Sequence, residues 1–449
     1  MTAVRAETAP APLPGRVPLL GHLPALLRDP LAFLRTAQTH ADVVTLYLGP
    51  AKAFLVTRPD HLHTVLVDKP GEFDKGVQFD KAAQVIGNSL PVAKGSFHRR
   101  QRKLIRPAFT QGRLAAYFEV MRDYTLDRIA SWTPDTDLHV ELRQLVGGIT
   151  ARTLYDVDGA EQATAELVGI VDILDPGVMR RVLDPTGLVE KLPLRSNRRF
   201  NRARVRSQEL VASLIEGSRK AGANRQDLLS TLITARDETT GEPMAEEQLR
   251  DEAIAIMEAG FETTAQGLRW TCHELAEHPD VQDRVRREID DVLGDHPLTM
   301  DLLGRLDYTR NVITEALRRH PPLFLLSRRP INDVVLGKHR IPAGSTVLIS
   351  AYALHHDPAR YPDPLRFDPD RWAGGYPVPE RGAVTFLPFG AGLRSCLGER
   401  FAMMELVLVL AEMLRRWSLR RAPDVPVKPK ISFVLAPSTN GTVLVPRSR

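Results

Sequence analysis

One of the two cysteines of this 449-residue chain lies in the stretch FLPFGAGLRSCLGERFA, residues 386–402. Three glycines and Arg394 surround Cys396, and a helix-forming run follows at once. A thiol at a helix N-terminus lies at the positive end of the helix dipole, which favours the thiolate. Glycines also let the backbone approach a flat partner closely. These residue types are typical of a thiolate that binds a metal, for example the iron of a haem.

Other interpretations of Cys396 stay open on the residues alone. A lone cysteine is more often a small buried hydrophobe. A catalytic nucleophile would need a histidine and an orienting Asn or Asp, which the sequence does not place. The piece GAGLRS departs from the dinucleotide pattern G-x-G-x-x-G, because Ser395 replaces the third glycine and a proline-rich loop precedes it.

A second group of residues that could take part in catalysis lies in the piece AGFETT, residues 259–264. It interrupts a helical run with many apolar residues over 251–279. At 1.5 Å per residue this run would span roughly 40 Å, enough to cross a domain. A threonine hydroxyl here can bond to a carbonyl of the preceding turn and bend the helix. An acid beside a hydroxyl could deliver protons to a reacting group, so Glu262 and Thr263 are candidate catalytic residues.

Two further stretches carry charges at helical spacing. In NVITEALRRHPP, Glu315 and Arg318 lie three residues apart on one helix face. Such a pair is usually exposed to solvent and contributes little to the stability of the fold. In FHRRQRKLIRPAF, His98 and Arg102 lie four apart on one face, within a basic run that would usually be a solvated surface. Cys272 and His273 are expected to be structural.

Together these stretches resemble the cytochrome P-450 family. The piece FGAGLRSCLG matches the haem-binding pattern F-x-x-G-x-R-x-C-x-G through Phe389, Gly392, Arg394, Cys396 and Gly398. AGFETT resembles the family's A-G-x-[D/E]-T-T, and E-x-x-R is present with FDPDRW following it. The four motifs occur in the family's order over about residues 17–445.

The resemblance implies the roles of specific residues. Cys396 would be the axial ligand of haem b, with Phe389, Gly392 and Gly398 shaping its loop. His98, Arg102, Arg328 and Arg394 would anchor the haem propionates. Thr263 would hydrogen-bond dioxygen during its activation, and Glu262 would help to deliver protons. Glu315, Arg318 and Arg371 would form an interior network that locks the segment leading to the cysteine. Glu315→Ala is then expected to yield protein without haem.

The resemblance also implies the fold and the reaction. The expected fold class is mainly α, the cytochrome P-450 fold, a triangular helical domain with small β-sheets. We expect a flexible segment over 1–16 and a single domain over 17–449. The expected enzyme is a monooxygenase that hydroxylates or epoxidises a hydrophobic secondary metabolite, with a terpenoid such as a sesquiterpene favoured over a polyketide or fatty acid. A haem-thiolate protein that binds or senses without oxygenating is the alternative, and a helical scaffold without cofactor is the third class.

Composition fits these expectations. Two cysteines exclude a disulfide framework and a four-cysteine zinc site. No apolar run approaches the roughly 20 residues of a membrane span, and no secretory signal is evident. We therefore expect a cytoplasmic monomer that does not bind nucleic acid. Electrons would come from a separate ferredoxin and ferredoxin reductase, steered by Arg99, Arg100 and Lys103 on the thiolate side.

The elements that must position these residues follow from hydrophobic patterning. VVTLYLG and AFLVTR predict a hairpin, with a helix beginning at Pro59. Residues 96–320 are mostly helical in pattern, strands follow Pro321, and the last helix covers about 397–417. Predicted loops cover 68–95, 133–138, 174–195 and 236–243. Apolar residues near these elements predict a substrate pocket without a charged anchor, lined by Val85, Leu90, Ala259, Phe261 and Leu325.

Overall fold

The structure is a computed structural model that describes residues 8–155, 159–184, 187–222, 227–238, 240–375 and 382–447. Within these ranges helices predominate and the sheets are small, which confirms the mainly α class. The α-helices have the following bounds: α1 Leu23–Arg28, α2 Pro30–Gln38, α3 Pro59–His63, α4 Val77–Ile86, α5 Gly95–Ile105, α6 Gln111–Ala130, α7 Leu138–Leu154, α8 Ala160–Val182, α9 Arg195–Ala221, α10 Leu228–Thr234, α11 Glu246–Glu277, α12 Pro279–Leu293, α13 Met300–Leu303, α14 Asp307–Arg319, α15 Ala351–His355 and α16 Glu399–Arg416.

Twelve short strands accompany the helices in the described part of the chain. Their bounds are β1 Ala11–Pro12, β2 Val43–Leu48, β3 Ala51–Val56, β4 Phe73–Lys75, β5 Leu326–Pro330, β6 Val334–Leu336, β7 His339–Ile341, β8 Thr346–Ile349, β9 Trp417–Arg421, β10 Pro429–Ile431, β11 Leu435–Pro437 and β12 Thr442–Pro446. Six of them form one mixed sheet in the order β1-β2-β3-β8-β5-β4. The predicted hairpin is confirmed, because β2 and β3 pair antiparallel with Val43 opposite Val56.

Helix α11 lies at the centre of the molecule. It packs against α7, α9, α14 and α16, and 20 of its 32 residues are buried. Its buried residues occur on nearly all sides of the helix rather than along one stripe, and they include charged ones such as Asp251, Glu252 and Arg269. Because α11 passes through the main core, residues in its middle keep accessible surface only where the core is hollow.

The large core cluster surrounds α11, and a smaller one fills the space between the mixed sheet and α2 through Leu31, Leu34, Val44 and Leu55. No helix in the described part of the chain is both long and apolar enough to cross a membrane. Before α16, the described residues 356–375 and 382–398 contain no strand and only short 3₁₀ turns, as their proline-rich sequence predicts.

Several predicted boundaries were wrong. The predicted loop over 68–95 contains β4 and α4, and the predicted loop over 174–195 begins inside α8, which continues through Pro176 to Val182. Within the segment expected to be flexible over 1–16, Ala11–Pro12 form β1, which pairs parallel with β2, and the flexibility of this segment stays a prediction. Residues 1–7 lie outside the described residues. Tertiary pairing outweighs local composition in each case.

Candidate active site

The loop before α16 fixes the backbone around Cys396. The N–H of Cys396 donates to the carbonyl of Phe389 at 2.8 Å, and the N–H of Ser395 donates to Gly392 at 3.0 Å. Gly392 has φ +69°, and a Cβ there would lie 2.0 Å from the carbonyl oxygen of Leu66. Both the left-handed backbone and the close approach therefore require glycine at this position.

The Cys396 side chain lies deep inside the protein yet is exposed, so it faces an internal space. Burial raises the pKa of the Cys396 thiol to about 11, while the backbone N–H of Gly398 and the charge of Arg102 lower it. The stabilising contacts expected from the sequence are present, but burial outweighs them. The thiol becomes a thiolate at neutral pH only when a cation binds the sulfur, as a metal ion does.

A ring of basic side chains lies on one side of this space. Arg102 donates to the backbone oxygen of Ser395 at 2.8 Å, which ties α5 to the cysteine loop. Arg394 donates to the carbonyl of Ala93 at 2.8 Å, and Arg328 donates to the carbonyl of Ser327 at 2.9 Å. His98 and Arg328 lie near Arg394, and burial together with the charge of Arg394 lowers the pKa of both. The role of these residues as propionate anchors stays a prediction.

Lys75 is a member of this ring that sequence reasoning missed. It is buried, it lies opposite Arg328 in the pairing of β4 with β5, and its ammonium lies 4.1 Å from the ring centroid of Phe79. Burial and the charges of Arg328, Arg394 and Arg102 lower the pKa of Lys75. An isolated lysine in FDKG carries no local signal, because only the strand pairing brings it to this site.

The basic ring has the electrostatic character of a site for an anion. Among the described residues, none of Lys75, Arg102, Arg328 and Arg394 forms a salt bridge with a carboxylate. Burial and the nearby cations lower the pKa of His98 to about 3, so its ring is neutral. Buried like charges without counter-ions are unfavourable unless an anionic group binds among them. The carboxylates of haem propionates fit such a ring, and the sulfur of Cys396 fits the iron.

The middle of α11 forms another wall of the internal space. Ile256, Ala259 and Thr263 share one helix face, and all three keep accessible surface, whereas Ala255 and Met257 are buried. The hydroxyl of Thr263 donates to the carbonyl of Ala259 at 2.7 Å, as the pattern predicted. A second donor to that carbonyl competes with its bond in the helix and loosens the backbone locally.

Glu262 points away from Thr263, toward α7. Its carboxylate lies 3.4 Å from a guanidinium nitrogen of Arg143 and accepts from the Gln266 amide at 2.6 Å. Arg143 also binds Asp172 at 2.8 Å, whose side chain is 59% exposed. Glu262 is thus connected through Arg143 to a carboxylate at the surface. The direction of Glu262 could not be deduced from its spacing to Thr263 alone.

A polar chain continues from Glu262 along α11. Arg269 donates to Gln266 at 2.5 Å and to the backbone oxygen of Pro437 at 2.9 Å, and it also contacts His139. His139 and Arg269 line a small pocket that Cys272 and His273 also border. Cys272 is buried, and burial raises its pKa to about 12. Cys272 and His273 lie further along α11 than Gln266, away from Thr263. A structural role for both residues remains our interpretation.

Two acids near the centre of α11 were not predicted. Burial, together with repulsion from Glu262, raises the pKa of Asp175 to about 8. Burial and repulsion from Asp175 likewise raise the pKa of Glu258 to about 8. Both side chains keep some accessible surface. The sequence offers Glu258 beside the motif, but nothing in it shows that α8 brings Asp175 nearby.

The five predicted pocket residues do not share one environment. Ala259 is exposed, Leu90 is partly buried and packs against the main core, and Val85 is buried in that core. Phe261 is fully buried against α7, where its ring lies 3.7 Å from the position of a Cβ on Gly147. Leu325 packs against the smaller core cluster. We therefore leave Phe261 and Leu325 out of the pocket.

The Glu315 network is assembled almost as the sequence predicted. Glu315 and Arg318 are both 0% exposed and joined by two hydrogen bonds of 2.8 Å, and Arg371 lies 3.4 Å from Glu315. The indole of Trp372 also donates to Glu315, at 3.0 Å. Arg318 donates to the carbonyl of His355 at 2.7 Å.

His355 extends this network to the cysteine loop. Its Nε2 accepts from the N–H of Leu387 at 2.8 Å, and Leu387 lies nine residues before Cys396. Neither His355 nor Trp372 was predicted. His355 contacts Leu387 and Trp372 contacts Glu315, and both contacts join residues that are far apart in sequence.

The basic run on α5 includes exposed side chains that form ion pairs. Arg100 binds Asp237 at 2.7 Å, and Lys103 lies 4.0 Å from Glu238. The steering of a ferredoxin by these charges stays a prediction. Arg99 is exposed and makes no ion pair among the described residues. The loop before α11 supplies the two acids, and its proximity to α5 has no local sequence signal.

Comparisons with known proteins agree with this geometry. The sequence model of the family described as Cytochrome P450 matches residues 10–445. Cyclooctat-9-en-7-ol 5-monooxygenase of Streptomyces melanosporofaciens is 42% identical over 413 residues, covering 91% of this chain and 89% of the relative. Pentalenene oxygenase of Streptomyces avermitilis is 36% identical over 423 residues, covering 93% and 92%. The structure of retinoic acid bound cyanobacterial CYP120A1 superposes with a TM-score of 0.87 at 23% identity, covering 98% of this chain and 100% of the other.

Proposed function

This chain belongs to the cytochrome P450 family and is a haem-thiolate monooxygenase, and from that premise we propose that Cys396 is the axial ligand and that the substrate is a terpenoid. The observation that carries the assignment is the Cys396 side chain, enclosed by the protein yet exposed to an internal space and flanked by unpaired cations. When bound, the haem activates dioxygen so that one oxygen atom enters a C–H or C=C bond.

We propose haem b as the cofactor, because the basic ring suits free propionate carboxylates. Lys75, Arg102, Arg328 and Arg394 would each donate to a propionate, and neutral His98 would donate through a ring N–H. Cys396 would bind the iron, held in place by the loop hydrogen bonds from Cys396 to Phe389 and from Ser395 to Gly392. Phe389, Gly392 and Gly398 would shape the backbone that carries the sulfur.

We propose that Thr263 and Glu262 act in sequence as catalytic residues. The Thr263 hydroxyl lies on the cavity face of α11 and donates its own hydrogen to Ala259, so its oxygen can accept a hydrogen bond on the cavity side. Arg143, which also binds the surface carboxylate of Asp172, holds Glu262 turned toward α7. A rotation of the Glu262 side chain would then carry a proton toward Thr263.

The substrate class rests on the pocket and on the relatives. Ala259, Leu90 and Ile256 present apolar surface to the internal space, so the hydrophobic effect would contribute most of the binding. Two relatives are named for oxygenating cyclooctat-9-en-7-ol and pentalenene, a cyclic alkenol and a cyclic alkene. A cyclic terpenoid therefore suits this chain better than a linear fatty acid.

Isotope labelling tests the proposed function. The purified enzyme, supplied with a ferredoxin, a ferredoxin reductase and ¹⁸O₂, is incubated with cyclic terpenoids, a linear fatty acid and a macrolide. We expect a cyclic terpenoid to gain one ¹⁸O atom. If only the fatty acid or the macrolide is labelled, the substrate class is wrong; if reduced enzyme consumes dioxygen without labelling any organic compound, the alternative of a binding protein gains support.

We propose that an acidic ferredoxin docks beside Arg99, on the face from which α5 reaches the cysteine loop. Arg99 is exposed and forms no ion pair with any described residue, whereas Arg100 already binds Asp237. Arg99→Glu should slow reduction several-fold at low salt and little at high salt, since exposed charges are screened. Arg100→Glu is the matched comparison, with a smaller effect on the same rate. Equal rates for wild type and Arg99→Glu at low salt would place the docking face elsewhere.

A further inference from the structure

Two neighbouring carboxylates near the start of α11 bind the loop that follows α4. Asp251 and Glu252 are 6% and 0% exposed. Asp251 accepts from the backbone N–H of Asn88 at 2.8 Å. Both oxygens of Glu252 accept from the backbone N–H of Leu90, at 3.1 and 2.9 Å. Residues separated by about 160 positions in sequence are thus joined by charge-assisted hydrogen bonds.

Gln248 and Gly87 complete this connection. The amide of Gln248 donates to the carbonyl of Asn88 at 3.1 Å and to Glu252 at 2.8 Å. Gly87 has φ +56°, and a Cβ there would lie within 2.3 Å of all three carboxyl atoms of Asp251. The loop backbone therefore lies directly on the carboxylate, and a larger residue at position 87 would push it away.

The buried position of these acids is unfavourable by itself. Burial raises the pKa of Glu252 to about 7, against the lowering by the Leu90 N–H and by Gln248, and it also raises the pKa of Asp251. Apolar side chains of similar volume would avoid this desolvation. Carboxylates accept hydrogen bonds from the N–H groups of this irregular loop, which apolar side chains cannot do.

The loop matters because of what it carries and what it is attached to. Leu90, partly buried against the main core, is one of the residues assigned to the substrate pocket proposed above, and α11 also carries Ala259 and Thr263. A loop bound to α11 keeps a fixed distance from the reacting groups on the same helix. A loop released from α11 would leave the pocket wall free to move.

We propose that Asp251 and Glu252 are positioning residues that bind loop 87–92 to α11 and thereby fix Leu90 at the wall of the substrate pocket. This inference rests on the proposed function, since the pocket is defined by it. The proposal has a selective consequence for ligand binding. The affinity for compounds large enough to reach Leu90 should depend on the two acids, and the affinity for small iron ligands should not.

Hydrogen–deuterium exchange of the ferric holoenzyme tests the connection directly. In Glu252→Leu we expect the amides of Asn88 and Leu90 to exchange at least about tenfold faster, because each loses or loosens a bond to a buried charged group. Glu252→Gln keeps an acceptor oxygen of the same shape and should restore most of the protection. Glu247→Leu, an exposed neighbour on the same helix, is the control and should change neither amide.

Ligand binding supplies the second measurement. The Kd of 4-phenylimidazole should rise several-fold in Glu252→Leu, while the Kd of imidazole should stay within about twofold of wild type. If Glu252→Leu does not fold, Gln248→Leu decides the question, because Gln248 is only partly buried and bonds the same loop. Unchanged exchange at Asn88 and Leu90 in the folded variants overturns the inference.

These outcomes are separable from those that test the function. A wild-type protein without a thiolate haem spectrum would contradict the proposed function, whatever the exchange rates are. A normal haem spectrum, together with loop amides that exchange freely in wild type or equally fast in wild type and Glu252→Leu, would contradict only the role assigned to Asp251 and Glu252.

Discussion

The two sides of the proposed haem site are built differently. On the side of Cys396, Glu315 and Arg318 are 0% exposed and their hydrogen bonds are all made within the protein. On the side of α11, Thr263 keeps accessible surface, and Asp175 and Glu258 have raised pKa values. The buried ion pair of the first side is satisfied before any ligand binds, and the second side has polar groups available to one. A fixed support opposite an adjustable wall suits an enzyme that holds one cofactor and accommodates an apolar substrate.

The strongest test of this difference uses two ion pairs of α14. Glu315 and Arg318 are buried, whereas Asp307 and Arg310 form the same three-residue spacing at 2.8 Å with Asp307 79% exposed. Glu315→Ala leaves a buried guanidinium uncompensated, so the free energy of unfolding should fall by about 3–5 kcal/mol and haem content should be lost.

Asp307→Ala is the matched control and should cost less than about 1 kcal/mol, because the exposed pair is hydrated. Haem absorbance per polypeptide and thermal melting measure both variants. A Glu315→Ala protein with a full complement of haem would show that the network is not needed to hold the cysteine loop.

The next effect concerns the adjustable side. Thr263→Ala removes the hydroxyl from the cavity face of α11 and should leave haem content unchanged. Because proton delivery is impaired, the share of electrons released as hydrogen peroxide should rise by about tenfold or more. Thr271→Ala is the control, since its hydroxyl is buried on the same helix and bonds to Gly267 at 2.8 Å. Equal peroxide yields from both variants would remove Thr263 from the catalytic residues.

The smallest effect is on stability as a function of pH. Asp175 and Glu258 have pKa values near 8 in the folded protein, above those of unfolded carboxyl groups. The folded state therefore binds more protons between about pH 4 and pH 8, and the free energy of unfolding should decrease as pH rises through this window. Glu258→Gln should weaken this decrease, with a gain of a few degrees in Tm at pH 8 relative to wild type. Parallel pH profiles of Tm for the two proteins would count against a protonated Glu258.

The same division explains what could be predicted from the sequence. Cys396, Arg394, Glu315 and Arg318 lie in short stretches whose residues act on one another or on a common partner, so local spacing was informative. Lys75 reaches the basic ring only because β4 pairs with β5. Such a contact depends on the tertiary arrangement, so the sequence of a single strand or helix carries no pattern that predicts it.

Positions on the α11 side required the structure for a related reason. The direction of Glu262 depends on Arg143 of α7, and the environment of Glu258 depends on Asp175 of α8. Phe261 has the expected hydrophobicity, yet its place in the helical rotation turns it toward α7 rather than toward the cavity. Residue type predicted the presence of a pocket better than it predicted which side chains line it.

The central claim is that the sulfur of Cys396 binds haem iron, and the absorption spectrum of the reduced protein under carbon monoxide tests it most directly. Wild type should show the red-shifted Soret band of a thiolate-ligated haem. Cys396→Ser should lose that band, by losing the haem or by showing the shorter-wavelength band of a haem without thiolate. A Cys396→Ser protein that keeps the red-shifted band, or a wild type that binds no haem, would contradict the account.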